Sequence, residues 1–389
     1  MVLTGLDRIH RREYPLKDLK YGLLCHQASV TRDLVHAKFV LHYLVGKDLV
    51  CLFSPQHGLY AEKQDNMKES PDRLDEDLGI PVYSLYGERR EPTREQMEAI
   101  DCLIVDLQDV GARVYTYVWT LFLALKVAED TGTMVMVLDR PNPIGGEIVE
   151  GNRLSPRFHS FVGMAPIPMR HGMTLGELAI YFKERWYRDL RLHVVEMNGW
   201  RRRMYFSHTG LPWVLPSHNM PTLDTAMVYP GQVLLEGTNL SEGRGTTRPF
   251  EIFGAPFVRP WVVEGAMKDS GLHGFVLRRQ VFEPTFNKWQ GEHCQGFQIH
   301  VLDPRVFRPY LFTLSLLSTM KREFPEAFDY IDPPYEYEFI KKPIDLLIGD
   351  GKVREAIDGG ASTEELRQLV SGDELEFREE REAYLIYRD

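Results

Sequence analysis

Two stretches of the chain gather the side chains that proton transfer and anion recognition require. The first, Asp106-Leu-Gln108-Asp109-Val-Gly111-Ala-Arg113-Val-Tyr115, brings two carboxylates, an amide and a guanidinium together. Paired carboxyl groups pass protons, and a guanidinium forks onto a carboxylate or phosphate. Asp106 and Asp109 could instead cap a helix and pair with Arg113, and spacing alone does not separate the two uses. The second stretch runs from Glu236 to Glu251, with the carboxylates Glu236, Glu242 and Glu251, the arginines Arg244 and Arg248, and three glycines among small hydroxyl residues. Backbone without Cβ atoms lets a ligand approach closely, although turns also call for glycine, and Glu242 with Arg244 would serve as a structural ion pair.

The elements that must position these residues are legible as apolar runs that end in polar loops. Cys102 to Asp106 reads as a strand buried on both faces; after Gly111 the spacing turns helical through Val114, Val118, Leu121, Leu125 and Ala128 until Gly132. Tyr21 to Cys25 ends in His26 and Gln27, with Ser29 or Thr31 as the expected N-cap of the next helix. Leu49 to Phe53 opens into a polar loop holding Gln56, His57 and Glu62, and Thr133 to Leu138 delivers Asp139, Arg140 and Asn142. Strands alternating with helical stretches predict a doubly wound, mostly parallel α/β sheet, whose ligand crevice lies at the carboxyl ends of the strands. Asp106, Gln108, Asp109 and Arg113 fall there. The first turn has no GxGxxG and the chain no Walker motif, so a nucleotide cofactor is not expected. A domain boundary is expected near Glu150, giving 1–150 and 151–389. The second part holds a strand near 192–197, an irregular loop with Asn219, a strand over 296–302 and a helix from Tyr310 to Phe324.

Composition bounds the remaining classes. Net charge is -10, from 46 basic and 56 acidic residues, so no basic field for nucleic acid exists and an anionic substrate must be met by local arginines. The four cysteines show no CxxC spacing, and neither HExxH nor His-x-His occurs, which argues against a disulfide framework or a metal. No apolar signal core opens the chain and no run approaches a membrane span of roughly 20 residues, giving an expectation of a cytoplasmic protein without a membrane partner.

The ordered motifs FSPQHG, SLYG, DLQDVGARVYTY, LDRPNP, GMTLGELA, GLPWV with NMPT, and EGTNLSEGRGTT resemble those of the NamZ-type exo-β-N-acetylmuramidases over about Tyr21 to Tyr387. The resemblance implies a Rossmann-like N-terminal domain without nucleotide, a smaller C-terminal α/β domain, and a cleft between them. It also implies a glycoside hydrolase that releases non-reducing terminal N-acetylmuramic acid from peptidoglycan fragments, without cofactor, with a homo-oligomer as a possible assembly; relatives of this type are often exported. One position departs from the pattern: a glutamate usual in the family's Pro-Glu-His-Gly motif is Gln56 here. Either another carboxyl group takes over, or the chain is a non-hydrolytic amino-sugar-binding or sensing protein on the same cleft; hydrolysis of another acidic or N-acetylated sugar is a third reading. Glycoside hydrolysis needs two carboxyl groups, for which Asp109, Glu62, Glu236 and Glu242 are the candidates. Arg113, Arg140, Asn142, Asn219, Asn239 and Arg244 would meet the lactyl carboxylate and N-acetyl group. Gln56, His57, Asp106, Gln108, Tyr115 and Asp139 complete the expected binding surface.

Overall fold

A computed structural model of the chain describes residues 1–61, 71–87 and 89–388. Its centre is a seven-stranded sheet built from β1 (Tyr21–Cys25), β2 (Leu49–Ser54), β3 (Arg73–Leu74), β4 (Pro81–Ser84), β5 (Cys102–Asp106), β6 (Met134–Leu138) and a strand at Leu192–Val195. The spatial order is β3, β4, β2, β1, β5, β6 and then that last strand; all neighbours run parallel except the β3–β4 pair. Alternating side chains of each central strand enter opposite layers. Leu103 and Val105 join a large core with Leu121, Leu125 and Phe182, whereas Cys102 and Ile104 join a smaller one with Leu6, Val40 and Leu41. Burial on both faces is why these strands read as unbroken apolar runs. All four cysteines are buried and free.

The helices of the two layers are α1 (Gly5–His10), α2 (Ala37–Val45), α3 (Arg94–Glu98), α4 (Tyr117–Thr131) and α5 (Leu175–Trp186). Thr93 and Thr174 close capping boxes at α3 and α5, and Gly132 ends α4 in the left-handed conformation. Two starts differ from the sequence expectation. The N-cap of α2 is His36, because the hydroxyl of Ser29 instead donates to the Asp106 carbonyl and that of Thr31 accepts from Val35 N. The helix after β5 begins at Tyr117, so residues 107–116 form a long loop between β5 and α4. The strand Leu192–Val195 completes the sheet well past Glu150, carrying the N-terminal unit beyond the boundary expected there.

Between β6 and that edge strand, a two-stranded ribbon pairs β7 (Glu150–Arg153) with β8 (Pro168–Arg170), so the edge strand is β9. A second sheet is antiparallel, in the order β10 (Ile252–Ala255), β12 (Cys294–Val301), β11 (Phe275–Phe282). It packs beside α6 (Leu223–Gln232), α7 (Pro260–Asp269) and α8 (Pro309–Glu323), followed by α9 (Pro343–Ile348), α10 (Gly351–Asp358) and α11 (Thr363–Arg381). The C-terminal helix returns to the N-terminal half: Asp373 and Glu374 of α11 accept the backbone N–H groups of Arg153 and Gly151 at 2.8 Å, and the Tyr387 hydroxyl donates to Asp139 at 2.6 Å. The two units are thus tied by polar contacts as well as by core. Among the described residues no helix is long and apolar enough to cross a membrane.

Candidate active site

The β2 strand ends in Ser54-Pro55-Gln56-His57, where His57 takes a positive φ of 75° and turns the chain sharply. This aims Gln56 toward the C-terminal unit. Its amide oxygen accepts from the Thr116 hydroxyl at the start of α4, and its Nε2 donates to Glu336 Oε1 at 3.1 Å. Around them lies a cavity of about 430 Å³, counting its open mouth. Its walls come from both units: Gln56, His57, Tyr115, Thr116, Ser217 and Asn219 precede α6 in the chain; Tyr229, Glu236, Arg244, Phe250, Tyr335 and Glu336 lie in it or after it.

Glu336 sits at the tip of a two-residue turn. Tyr335 and Glu338 exchange both backbone hydrogen bonds (3.0 and 2.9 Å), and the residues between them, Glu336 and Tyr337, have φ of 47° and 65°. Positive φ at both central positions is what a primed hairpin turn demands, and for side-chain-bearing residues it costs on the order of 1–3 kcal/mol each. That cost is sustained by contacts at the tip: the Tyr86 hydroxyl donates to Glu336 Oε2 at 2.8 Å, and the Tyr86 and Tyr337 rings meet edge to face at 5.8 Å. The carboxyl is almost fully buried, and burial pushes its pKa up to about 7; the Tyr86 hydrogen bond opposes this and the negative charge of Glu236 adds to it.

Glu236 has the opposite environment. It ends α6's continuation into the Glu236–Glu251 loop, where Arg244 Nη2 donates to its Oε1 at 2.5 Å and the Tyr335 hydroxyl to its Oε2 at 2.6 Å. Burial works to raise this carboxyl, but the Arg244 charge and the two hydrogen bonds outweigh it, leaving its pKa below the usual value. Arg244 is itself held from behind: Glu242 lies 3.3 Å from its Nε and 2.6 Å from Lys288 Nζ. Gly243, with φ of 80° and its would-be Cβ 2.5 Å from the Ile252 carbonyl, allows the chain to present Glu242 and Arg244 in this way. The cavity therefore holds two carboxyl groups with divergent pKa values, the arrangement by which one fold keeps an acid and a carboxylate at the same pH.

Of the residues singled out from the sequence, Gln56, His57, Tyr115, Asn219, Glu236 and Arg244 line this cavity. The others are placed differently. Glu242 stands behind Arg244 rather than on the wall. Asp106 and Arg140 form a buried bidentate ion pair at 2.5 and 2.8 Å. Asp139 accepts from Thr174, Gly176 N and Tyr387, and Gln108 donates to the carbonyls of Asp109 and Pro141. Arg113 spends its guanidinium on the carbonyls of Asn152, Ile167, Leu347 and Ile348, so it fastens α9 to the β7–β8 ribbon. Asn142 bonds Met173 O and Ile144 N, and Asn239 bonds Ala327 O and Asp329 N; both are loop ties. Asp109 accepts from Gly111 N at 2.7 Å and lies 3.6 Å from His171 Nε2, outside the cavity wall. Glu62 lies outside the described residues. Sequence reasoning passed over Glu336; the signal available was an acid between two tyrosines, Pro-Pro-Tyr-Glu-Tyr-Glu. No group of side chains suited to a metal occurs among the described residues.

Fold and site together define a two-unit α/β protein whose carboxyl pair lies where a Rossmann-like sheet meets a smaller antiparallel one. Residues 21–224 match the family described as "Exo-beta-N-acetylmuramidase NamZ, N-terminal", and residues 227–387 match its C-terminal counterpart. The chain belongs to the NamZ family. It is 41% identical over 389 residues to the "Peptidoglycan beta-N-acetylmuramidase NamZ" of Bacillus subtilis (strain 168), covering 99% of this chain and 91% of that one. A crystal structure of a DUF1343 family protein from Bacteroides fragilis NCTC 9343 superposes with a TM-score of 0.88 at 30% identity, covering 100% of this chain and 99% of that one. A second protein of that description from the same organism gives 0.77 at 27% identity, with the same coverage.

Proposed function

We propose that the chain is an exo-β-N-acetylmuramidase that hydrolyses the β-1,4 bond of a non-reducing terminal N-acetylmuramic acid in peptidoglycan fragments, with Glu336 as general acid and Glu236 as its ionised partner. The carrying observation is the pair of buried carboxyl groups on one cavity, one with its pKa raised to about 7 and one held below its usual value. Glu336 donates its proton to the glycosidic oxygen; the C1–O bond breaks and its electron pair leaves with the departing sugar. The Glu236 carboxylate faces the positive charge that develops on the ring, and a water adds at C1, losing its proton to a cavity carboxylate. Arg244 and Asn219 supply donors for the lactyl and N-acetyl groups.

Gln56 does not remove the acid from this site. It acts as a hydrogen-bond partner that fixes the Glu336 carboxyl from one side while Tyr86 fixes it from the other. The hydrolytic reading is therefore favoured over a binding-only protein. The test is release of phenol from a para-nitrophenyl N-acetylmuramic acid glycoside, and of N-acetylmuramic acid from the disaccharide it forms with N-acetylglucosamine. Ligand-induced melting shifts without any released product would sink it.

The pH profile follows from the same pair. Because Glu336 must be protonated, kcat/KM falls as pH rises through about 7, by about tenfold per unit at the alkaline extreme, while Glu236 keeps the acid limb below the ordinary carboxylate range. A profile still rising at pH 9 contradicts the assignment. Gln56→Glu places a second carboxyl within hydrogen-bond reach of Glu336, so one proton is shared and ionisation of the pair is disfavoured. The alkaline limb then moves upward by on the order of one unit with kcat largely retained; a limb that moves toward acid refutes this role for Gln56.

A further inference from the structure

Beside the cavity, on its Glu336 side, runs an open groove of about 1220 Å³ lined by Arg89, Arg90, Arg94 and Lys126, with only Glu91 and Asp130 of opposite sign. Arg94 pairs with Glu98 and Lys126 with Glu91, whereas no described carboxylate lies within ion-pair distance of Arg89 or Arg90. Such a basic cluster on a chain of net charge -10 is a local site suited to an anionic occupant.

The groove adjoins the catalytic cavity across one layer of aromatic side chains. Arg90 lies 4.0 Å over the Tyr337 ring and 5.1 Å from that of Phe161, and both rings pack on Tyr86, the residue that donates to Glu336. One turn of chain forms both walls, with Val162 facing the cavity and Met164 the groove. Arg90 Nε is buried without a hydrogen-bond partner among the described residues, and its planar group is held between rings. A guanidinium fixed this way is ready to accept a carboxylate without further ordering.

Direction follows from chemistry. A general acid stands at the scissile oxygen, between the sugar that is released and the leaving group. In the turn that carries Glu336, Tyr335 donates to Glu236 on the cavity wall, and Tyr337 underlies Arg90 of the groove. We propose that this groove binds the leaving-group side of a peptide-free glycan strand through the lactyl carboxylates on its internal muramic acid units; this rests on the muramidase reading above. The enzyme would then act faster on long strands than on the disaccharide, which lacks those carboxylates.

The test compares the wild type with the triple variant Arg89→Ala, Arg94→Ala, Lys126→Ala. None of these three touches Glu336 or Glu236. KM is measured for the para-nitrophenyl glycoside, an alternating tetrasaccharide, the same tetrasaccharide with its internal carboxylate reduced to the alcohol, and a disaccharide carrying a stem peptide. The variant is expected to raise KM for the carboxylate-bearing tetrasaccharide by roughly tenfold, the scale of a few exposed charge pairs. The aryl glycoside and the reduced tetrasaccharide should be unchanged, and the tetrasaccharide advantage should fade with salt. Equal KM values for wild type and variant on the tetrasaccharide overturn the proposal, as does an effect confined to the peptide-bearing substrate. If the wild type cleaves none of these, the muramidase reading fails by itself; calorimetric binding of the two tetrasaccharides to wild type and variant then decides the groove, with equal affinities overturning it.

Discussion

Glu336→Gln is expected to reduce hydrolysis of the natural disaccharide by about 10²–10⁴-fold while leaving KM near that of the wild type, the range for loss of a positioned general acid. The amide is nearly isosteric, so Tyr86 still has an oxygen to donate to and the primed turn keeps its shape. What disappears is the proton. A sugar alkoxide is a poor leaving group and depends on that proton, whereas para-nitrophenolate departs without one; the loss should be markedly smaller for the aryl glycoside. The alkaline limb near pH 7 should vanish with it. Stability should change in a defined sense. Glu336 has a raised folded-state pKa, so the fold binds its proton more tightly than the unfolded chain does. Its contribution is complete below the ordinary glutamate value and is lost as pH rises through about 7. The variant removes this dependence, and its Tm should fall less than that of the wild type between pH 5 and 8. Equal losses on aryl glycoside and disaccharide would place the acid elsewhere.

Glu336 also marks where the sequence stops being readable. The parallel strands were legible because burial on both faces leaves an unbroken apolar run, as in Cys102–Asp106 and Met134–Leu138, and the capping boxes at Thr93, Thr174 and Ser362 are local patterns with local causes. The polar loops at the strand ends were equally visible, but the direction of each side chain was not. A loop packed over a buried sheet end carries backbone groups that need partners, and Arg113, Asp139 and Asn142 are absorbed by that need. Gln56, at the end of β2 and two positions along the sheet from β5, lies over the open cavity instead. Which of these fates a polar residue meets depends on contacts such as Arg113 to Leu347 that are long in sequence. The turn that presents Glu336 lacked the usual local signal, since primed turns are read from Asn-Gly or Asp-Gly and this one is Glu-Tyr; only the flanking tyrosines marked the acid.

Arg244→Met is expected to cost roughly 3–5 kcal/mol of stability, the scale for breaking a buried ion pair from one side. Glu236 and Glu242 both face this guanidinium; Glu242 keeps Lys288 at 2.6 Å, whereas Glu236 is left with the Tyr335 hydroxyl. With the opposing charge gone, burial is expected to outweigh the remaining Tyr335 hydrogen bond and the Lys288 charge, and the Glu236 pKa moves from below the ordinary value to above it. The sign of its pH dependence then inverts. In the wild type its depressed pKa contributes stability that is present above the unfolded value and lost as pH falls through the folded one; in the variant the stability conferred by the neutral carboxyl is lost as pH rises. Melting temperatures should therefore separate most at alkaline pH. Activity should fall by at least about 10²-fold, because the partner charge of the acid is missing at neutral pH. The acid limb should also shift upward as Glu236 stays protonated over more of the range. Arg244→Lys keeps a charge but cannot fork between Glu236 and Glu242, so intermediate values are expected for both stability and rate. If Arg244→Met melts within 1 °C of the wild type at pH 8, the ion pair does not hold this wall of the cavity, and the ionised state assigned to Glu236 falls with it.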